Sequence, residues 1–294
     1  MTQEKKDKGL LEAALTGNLA KARKLIASGA RIDAVLKDGW QPMHVAASNG
    51  HLPLVVLLHE KGARIDAAGL ENFQPLHLAA MGGHVQVIEY LLGNGAQMDA
   101  AMKDGWQPLH WATMEGQLSA VALLCEKGAQ IDAGDNDGRQ PLHLAAMKGH
   151  LQVAGCLCRN GANIEAGDGE GRKPLFYAAI NKDKDVAVFL LQNGAQVDAV
   201  DGDGWTALHH AVIGGHKSAV EFLLENRADL MAEDVNGGTP LELSGGQPSM
   251  RFLMRKWKDP EFREKFPQEV RAKVIRDHWK RMKKHLPSGP KLSL

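Results

Sequence analysis

One short phrase, returning at a fixed interval, constrains this chain more than any other feature. Gln41-Pro42-Met43-His44 is followed by Gln74-Pro75-Leu76-His77, Gln107-Pro108-Leu109-His110 and Gln140-Pro141-Leu142-His143. Later copies are Lys173-Pro174-Leu175-Phe176, Thr206-Ala207-Leu208-His209 and Thr239-Pro240-Leu241-Glu242. The second residue of each copy stands 33 positions after the one before it. Seven anchors at one spacing define an array of small supersecondary units, none of which can bury its own apolar face.

Within a unit the chemistry reads as two short helices and a finger. Proline opens the first helix, where its missing N–H has no intrahelical partner to lose. Gly50, Gly83, Gly116 and Gly149 stand where that helix must end in a left-handed residue. A second helix, such as Leu52–Leu58 or Val85–Leu92, is apolar over a broad face. Gly62, Gly95, Gly128, Gly161 and Gly194 end it. Asp-Gly pairs at 38–39 and 104–105 predict β-hairpin fingers. Stacking makes the core, so the end units must be altered to face water. Residues 8–34 lack the Pro-Leu-His start and put charges on the outer helix, and the last unit is cut short at Pro248. The reading is eight units, the last incomplete: an N-terminal extension over 1–7, a repeat domain over 8–257 and a tail over 258–294.

The phrase and its period resemble the ankyrin-repeat family over about residues 8–257. The resemblance implies an all-α solenoid of stacked helix-turn-helix units with β-hairpin fingers. Two departures stand out. The family's Thr is replaced by Gln41, Gln74, Gln107 and Gln140, and Gln is a poor N-cap, worth roughly 0.5–2 kcal/mol less than Thr. Histidine is missing at Phe176 and Glu242, so the imidazole hydrogen bond typical of the family cannot form there.

The resemblance also implies that partners lie against a concave surface of finger tips and first helices. The residue before each copy of the four-residue phrase faces that surface, and here the ladder reads Trp40, Phe73, Trp106, Arg139, Arg172, Trp205 and Gly238. Family pattern adds the residues before each helix-ending glycine, among them Met81 and Met114. With Trp111, and with Leu36 and Met102 where a finger often has Asp, they make an apolar patch over the first four full units. The fingers beyond carry Asp135, Asp137, Asp168, Glu170, Asp201 and Asp203, so the surface is expected to turn acidic. Aromatic residues and Arg anchor interfaces because they bury large area at modest entropy cost. The competing reading is that the rings pack on neighbouring fingers and only stiffen the stack.

Other functions find little support. Most of the 13 histidines fall at repeat positions, on successive units rather than around one metal. Gly167-Asp168-Gly169-Glu170-Gly171 is too acidic for a phosphate cradle, and no Gly-Lys-Ser/Thr motif follows a strand. The expectation is therefore no catalytic residues, no metal and no cofactor. Cys125, Cys156 and Cys158, an odd number, suit a reducing compartment. The first residues lack the apolar core of a signal peptide, which predicts a cytoplasmic protein.

The formal net charge is zero, but it is unevenly placed. Residues 251–294 hold 14 Lys/Arg against 5 Asp/Glu, and the rest of the chain holds 21 against 30. Gln268 to Leu286 reads as an amphipathic helix, with Val270, Val274, Ile275, Trp279, Met282 and Leu286 largely on one side. The other side is basic: Arg271, Lys273, Arg276, Lys280, Arg281, Lys283 and Lys284. Such a helix suits an acidic protein surface, a nucleic acid or an acidic membrane. It could also lie against the acidic repeats of its own chain, and Lys280-Arg281-Met282-Lys283-Lys284 could serve nuclear import. The leading expectation is a non-catalytic adaptor, monomeric when free, that holds a protein segment on the concave ladder; binding of nucleic acid or membrane through the tail is the alternative.

Overall fold

The computed structural model describes residues 1–35, 39–246 and 248–259. Leu36 and the helix expected over Gln268–Leu286 lie outside them. The chain divides into two compact units, Met1–Pro141 with Arg159–Gly161, and Leu142–Cys158 with the residues from Ala162 onward.

The first unit contains four helix pairs: α1 (Gln3–Thr16) with α2 (Leu19–Ala27), α3 (Pro42–Ser48) with α4 (Leu52–Glu60), α5 (Pro75–Met81) with α6 (Val85–Gly93), and α7 (Pro108–Met114) with α8 (Leu118–Glu126). The first helices α1, α3, α5 and α7 pack on one another in series, and so do α2, α4, α6 and α8. Helices of seven residues do not persist alone in water. Their support is the shared core, where Leu10, Met43, Leu76 and Leu109 from the first row meet Leu54, Leu58, Ile88 and Leu124 from the second, all sealed from solvent. Buried Ala46, Ala47, Ala79, Ala80 and Ala112 let the helices approach closely.

The helix starts and stops follow the local chemistry. Proline stands first in α3, α5 and α7. Gly50 has φ 70°, and a Cβ there would also fall 2.5 Å from Nδ1 of His84. That space is occupied because His84 Nε2 donates to the Ser48 carbonyl at 2.9 Å, tying one helix pair to the previous one. α1 begins at Gln3, so the residues read as an N-terminal extension supply its opening turns. Asp7 is buried there and accepts the Arg31 backbone N–H and Nε–H, each at 2.8 Å.

In the second unit lie α9 (Pro141–Lys148) and α10 (Leu151–Arg159), apart from one end residue of each, then α11 (Pro174–Ile180), α12 (Asp185–Gln192), α13 (Ala207–Ile213), α14 (Lys217–Glu225), α15 (Pro240–Leu243) and α16 (Pro248–Lys258). α11 packs on α13 and α13 on α15, while α16 closes against α15 with Met250, Met254 and Trp257 buried.

The fingers are tighter than the β-hairpins expected from their Asp-Gly turns. The described fingers are turns closed across their base by a backbone hydrogen bond, as from Met102 N–H to Trp106 O (2.9 Å) or Asp201 N–H to Trp205 O (2.9 Å), with a second inside the turn, as from Gly105 N–H to Met102 O (3.0 Å) or Gly204 N–H to Asp201 O (3.1 Å). Among the described residues the one strand-like pairing is an isolated bridge between Val200 and Thr206. A left-handed glycine inside the turn, such as Gly105 (φ 84°) or Gly171 (φ 81°), reverses the chain before a ladder can form. Neighbouring fingers are instead linked edge to edge, as by Asn136 N–H to Asp104 O (2.9 Å) and Gly202 N–H to Glu170 O (2.9 Å).

Candidate protein-binding surface

The repeated histidines are consumed by the fold. His44, His77, His110, His143 and His209 are all fully buried. The backbone N–H of Gln41, Gln74, Gln107 and Thr206 donates to Nδ1 of the histidine three residues on, at 3.0–3.2 Å. With Nδ1 accepting, the proton sits on Nε2, which donates to the following finger: His44 to Phe73 O (3.2 Å), His77 to Ala100 O (2.9 Å), His143 to Ala166 O (3.1 Å), His209 to Gly238 O (3.3 Å). Burial pushes His77 down to about 4 and lowers His110 and His209 as well, which keeps these rings neutral. Where Glu242 replaces histidine, its carboxylate accepts the Thr239 N–H at 3.0 Å and so performs the capping half of the same task.

The finger carboxylates are likewise built in. Asp135, Asp168, Asp201 and Asp234 stand 33 residues apart, and Oδ1 of each accepts the backbone N–H groups two and four residues ahead, at 2.8–3.0 Å. Oδ2 accepts a side chain that differs from finger to finger. Asp135 takes Trp106 Nε1–H (3.0 Å) and Arg139 Nε–H (2.9 Å), and Asp168 takes Arg172 Nε–H (3.0 Å) and the Tyr177 hydroxyl. Asp201 takes His210 Nε2–H (2.6 Å) and Asp234 takes Trp205 Nε1–H (3.0 Å). Burial opposes the charge on Asp168, but the bonds from Tyr177, Arg172 and two backbone amides hold its pKa below the usual carboxylate range. This corrects half of the acidic surface expected from the sequence. The side chains of Asp135, Asp168 and Asp201 are only 1%, 0% and 4% exposed, which leaves Asp137, Glu170 and Asp203 facing solvent.

The same bonds sort the predicted ladder. Trp106 is buried and spends its N–H on Asp135, and Trp205 spends its own on Asp234. Arg139 pairs with both Asp135 and Asp137, and Arg172 with both Asp168 and Glu170. At these four positions the polar groups are engaged within the fingers. Tyr177 and His210, which the sequence reading passed over, share the repeat position of Trp111 and reach the finger nine residues before them. Their 33-residue separation, with an Asp nine residues upstream of each, was the available signal.

A different arrangement occupies the first unit. Trp40, Phe73 and Trp111 are half-buried and touch in a line, with ring centroids 6.4 Å apart for Trp40–Phe73 and 5.3 Å for Phe73–Trp111. Trp111 rests on buried Trp106 at 4.8 Å and directs its N–H at the sulfur of Met102, 3.1 Å away. The cause lies in the fingers: the repeat position that is Asp at 135, 168, 201 and 234 is Gly69 and Met102 here. A Cβ on residue 69 would stand 3.3 Å from the Trp40 ring, so glycine gives that indole its place. Met81 and Met114, both half-buried, end the adjoining helices α5 and α7.

Stacked helix pairs of 33 residues, joined by turn-like fingers and capped by a buried Gln/Thr–His pair, define a helical repeat protein. Family models for ankyrin repeats match residues 10–102, 66–135, 98–168 and 175–224, and the chain belongs to the ankyrin-repeat family. Repeats of this family generally mediate protein–protein interaction. No curated protein matches the chain. Among the described residues no group of three His, Cys, Asp or Glu side chains is placed to hold a metal ion, and no helix is long and apolar enough to cross a membrane.

Proposed function

We propose that the protein is a non-catalytic adaptor whose first unit holds a segment of a partner protein against Trp40, Phe73 and Trp111, flanked by Met81 and Met114. The observation that carries this reading is the contact line of three half-exposed rings, formed where two successive fingers lack the carboxylate that anchors the later ones. A contiguous patch of large rings on a rigid support is the kind of surface that supplies binding energy, through apolar burial at small entropic cost. Arg139, Arg172, Trp106 and Trp205 support the fingers rather than the partner, because their polar groups are already paired.

The test is affinity capture from cell lysate with the wild type and a Trp40→Ala/Trp111→Leu variant. Leucine stands naturally at the equivalent positions Leu78 and Leu144, so the second change is compatible with the fold. Proteins retained by the wild type should be lost from the variant at an unchanged circular dichroism spectrum. Equal retention of the same proteins by both would end this reading.

A further inference from the structure

The second unit carries a different apolar surface, on its last two fingers. Val200, Met231 and Val235 are 50%, 45% and 69% exposed, and the two fingers are joined by a hydrogen bond from Val235 N–H to Asp203 O at 3.1 Å. The repeat does not ask for valine at either place. The positions equivalent to Val200 are Gly134 and Gly167, and those equivalent to Val235 are Asn136 and Gly169. Exposed β-branched residues on a turn contribute little to the core, and here they stand on two fingers joined by a backbone hydrogen bond. The same fingers, residues 200–206 and 231–239, hold Asp201, Asp203, Glu233 and Asp234 and no Lys or Arg. Asp201 and Asp234 are engaged by His210 and Trp205, whereas Asp203 and Glu233 face solvent.

A surface of valines bordered by carboxylates suits a segment that is apolar on one side and basic on the other. The chain supplies one. It continues for 35 residues past Asp259, and residues 268–286 combine Val270, Val274, Trp279 and Met282 with a run of Arg and Lys. The reach is adequate. α16 packs on α15, which directly follows the finger bearing Val235, and packed helices lie about 8–10 Å apart. The nine residues from Asp259 to Gln268 can span up to roughly 30 Å.

We propose that residues 268–286 fold back onto this finger face, with their apolar side chains on Val200, Met231 and Val235 and the Lys and Arg side chains that border them reaching Asp203 and Glu233. This contact uses none of the residues assigned to partner binding, so either reading can fail without the other.

The experiment uses the full chain. Zero-length carbodiimide cross-linking should join Lys280, Lys283 or Lys284 to Asp203 or Glu233 within monomers, with a several-fold lower yield in roughly 0.5 M salt, where screening acts within about 4 Å. Hydrogen exchange read by mass spectrometry should show residues 268–286 exchanging several-fold faster in Asp203→Lys/Glu233→Lys. Adding Lys280→Glu/Lys283→Glu to that variant should restore the slow exchange. Tail cross-links to carboxylates elsewhere, cross-links between chains, or tail exchange indifferent to the finger substitutions would each overturn the proposal.

Discussion

Replacing Gln74 with Thr should stabilise the protein, and the structure indicates by how much. Gln74 precedes α5 in extended conformation, yet its side chain makes no cap hydrogen bond and its Oε1 is buried without a partner. Its backbone N–H donates to His77 Nδ1 at 3.2 Å. The chain itself displays the alternative at Thr239, whose hydroxyl accepts the Glu242 N–H at 3.3 Å while its own N–H is taken by that carboxylate. Relieving a buried unsatisfied acceptor is worth about 1–3 kcal/mol, and a threonine cap adds about 0.5–2 kcal/mol. Against this stands the loss of roughly one buried methylene, about 0.8 kcal/mol. A net gain near 1–2 kcal/mol follows, which for a domain of this size raises Tm by about 2–4 °C per kcal/mol. Thermal unfolding followed by circular dichroism should place Gln74→Thr highest, Gln74→Ala between, because Ala removes the orphan without capping, and the wild type lowest. A Thr variant that melts at or below the wild-type temperature would refute the reasoning, and one equal to Ala would assign the whole gain to the orphaned oxygen.

Trp106→Phe keeps an aromatic ring but removes the pyrrole part of the indole with the N–H held by buried Asp135, so urea unfolding should show a loss of at least about 1.5–3 kcal/mol; a change within about 0.5 kcal/mol would mean that Arg139 and the backbone satisfy the carboxylate alone. Thr113 is fully buried with no hydrogen bond to its hydroxyl, at a repeat position occupied elsewhere by Ala47 and Ala80, so Thr113→Ala should raise stability by about 1 kcal/mol, and a lowered urea midpoint would contradict this. His77 sits at about 4 in the fold against 6.5 when unfolded, because burial disfavours its cation. Its contribution is complete above about pH 6.5 and is lost as pH falls toward 4, by roughly 3 kcal/mol, with His110 and His209 acting in the same sense. Carboxylates with lowered pKa, such as Asp168, add their losses only below about 3.8. Urea midpoints should therefore decline between pH 6.5 and 4.5, less steeply in His77→Gln; a flat wild-type profile would show that these imidazoles are not held neutral.

Much of the fold was legible because its determinants are local. Proline at a helix start and a left-handed glycine at its end act within a few residues, and the period repeats them until the stack is unavoidable. The fingers were read less well. An Asp-Gly pair announces a turn, but whether it grows into a ladder depends on the residues that follow, and the left-handed glycine inside the turn leaves, among the described residues, a single bridge at Val200 and Thr206.

The candidate site divides more sharply. Trp40 and Trp106 occupy the same repeat position, and nothing in their immediate neighbours separates them. Their fates differ because the residue 29 positions onward, in the next finger, is Gly69 for one and Asp135 for the other. Asp135 and Asp137 are likewise two residues apart in one turn, one sealed under backbone amides and the other in water. By itself the sequence determined the repeating unit, its helices and the residue types offered to a partner, since these follow from short-range sterics and periodicity. Only the tertiary structure decided which of those side chains are consumed as polar anchors and which rings stay uncovered, because a buried carboxylate must be satisfied by whichever donors the stacking of successive fingers brings within 3 Å.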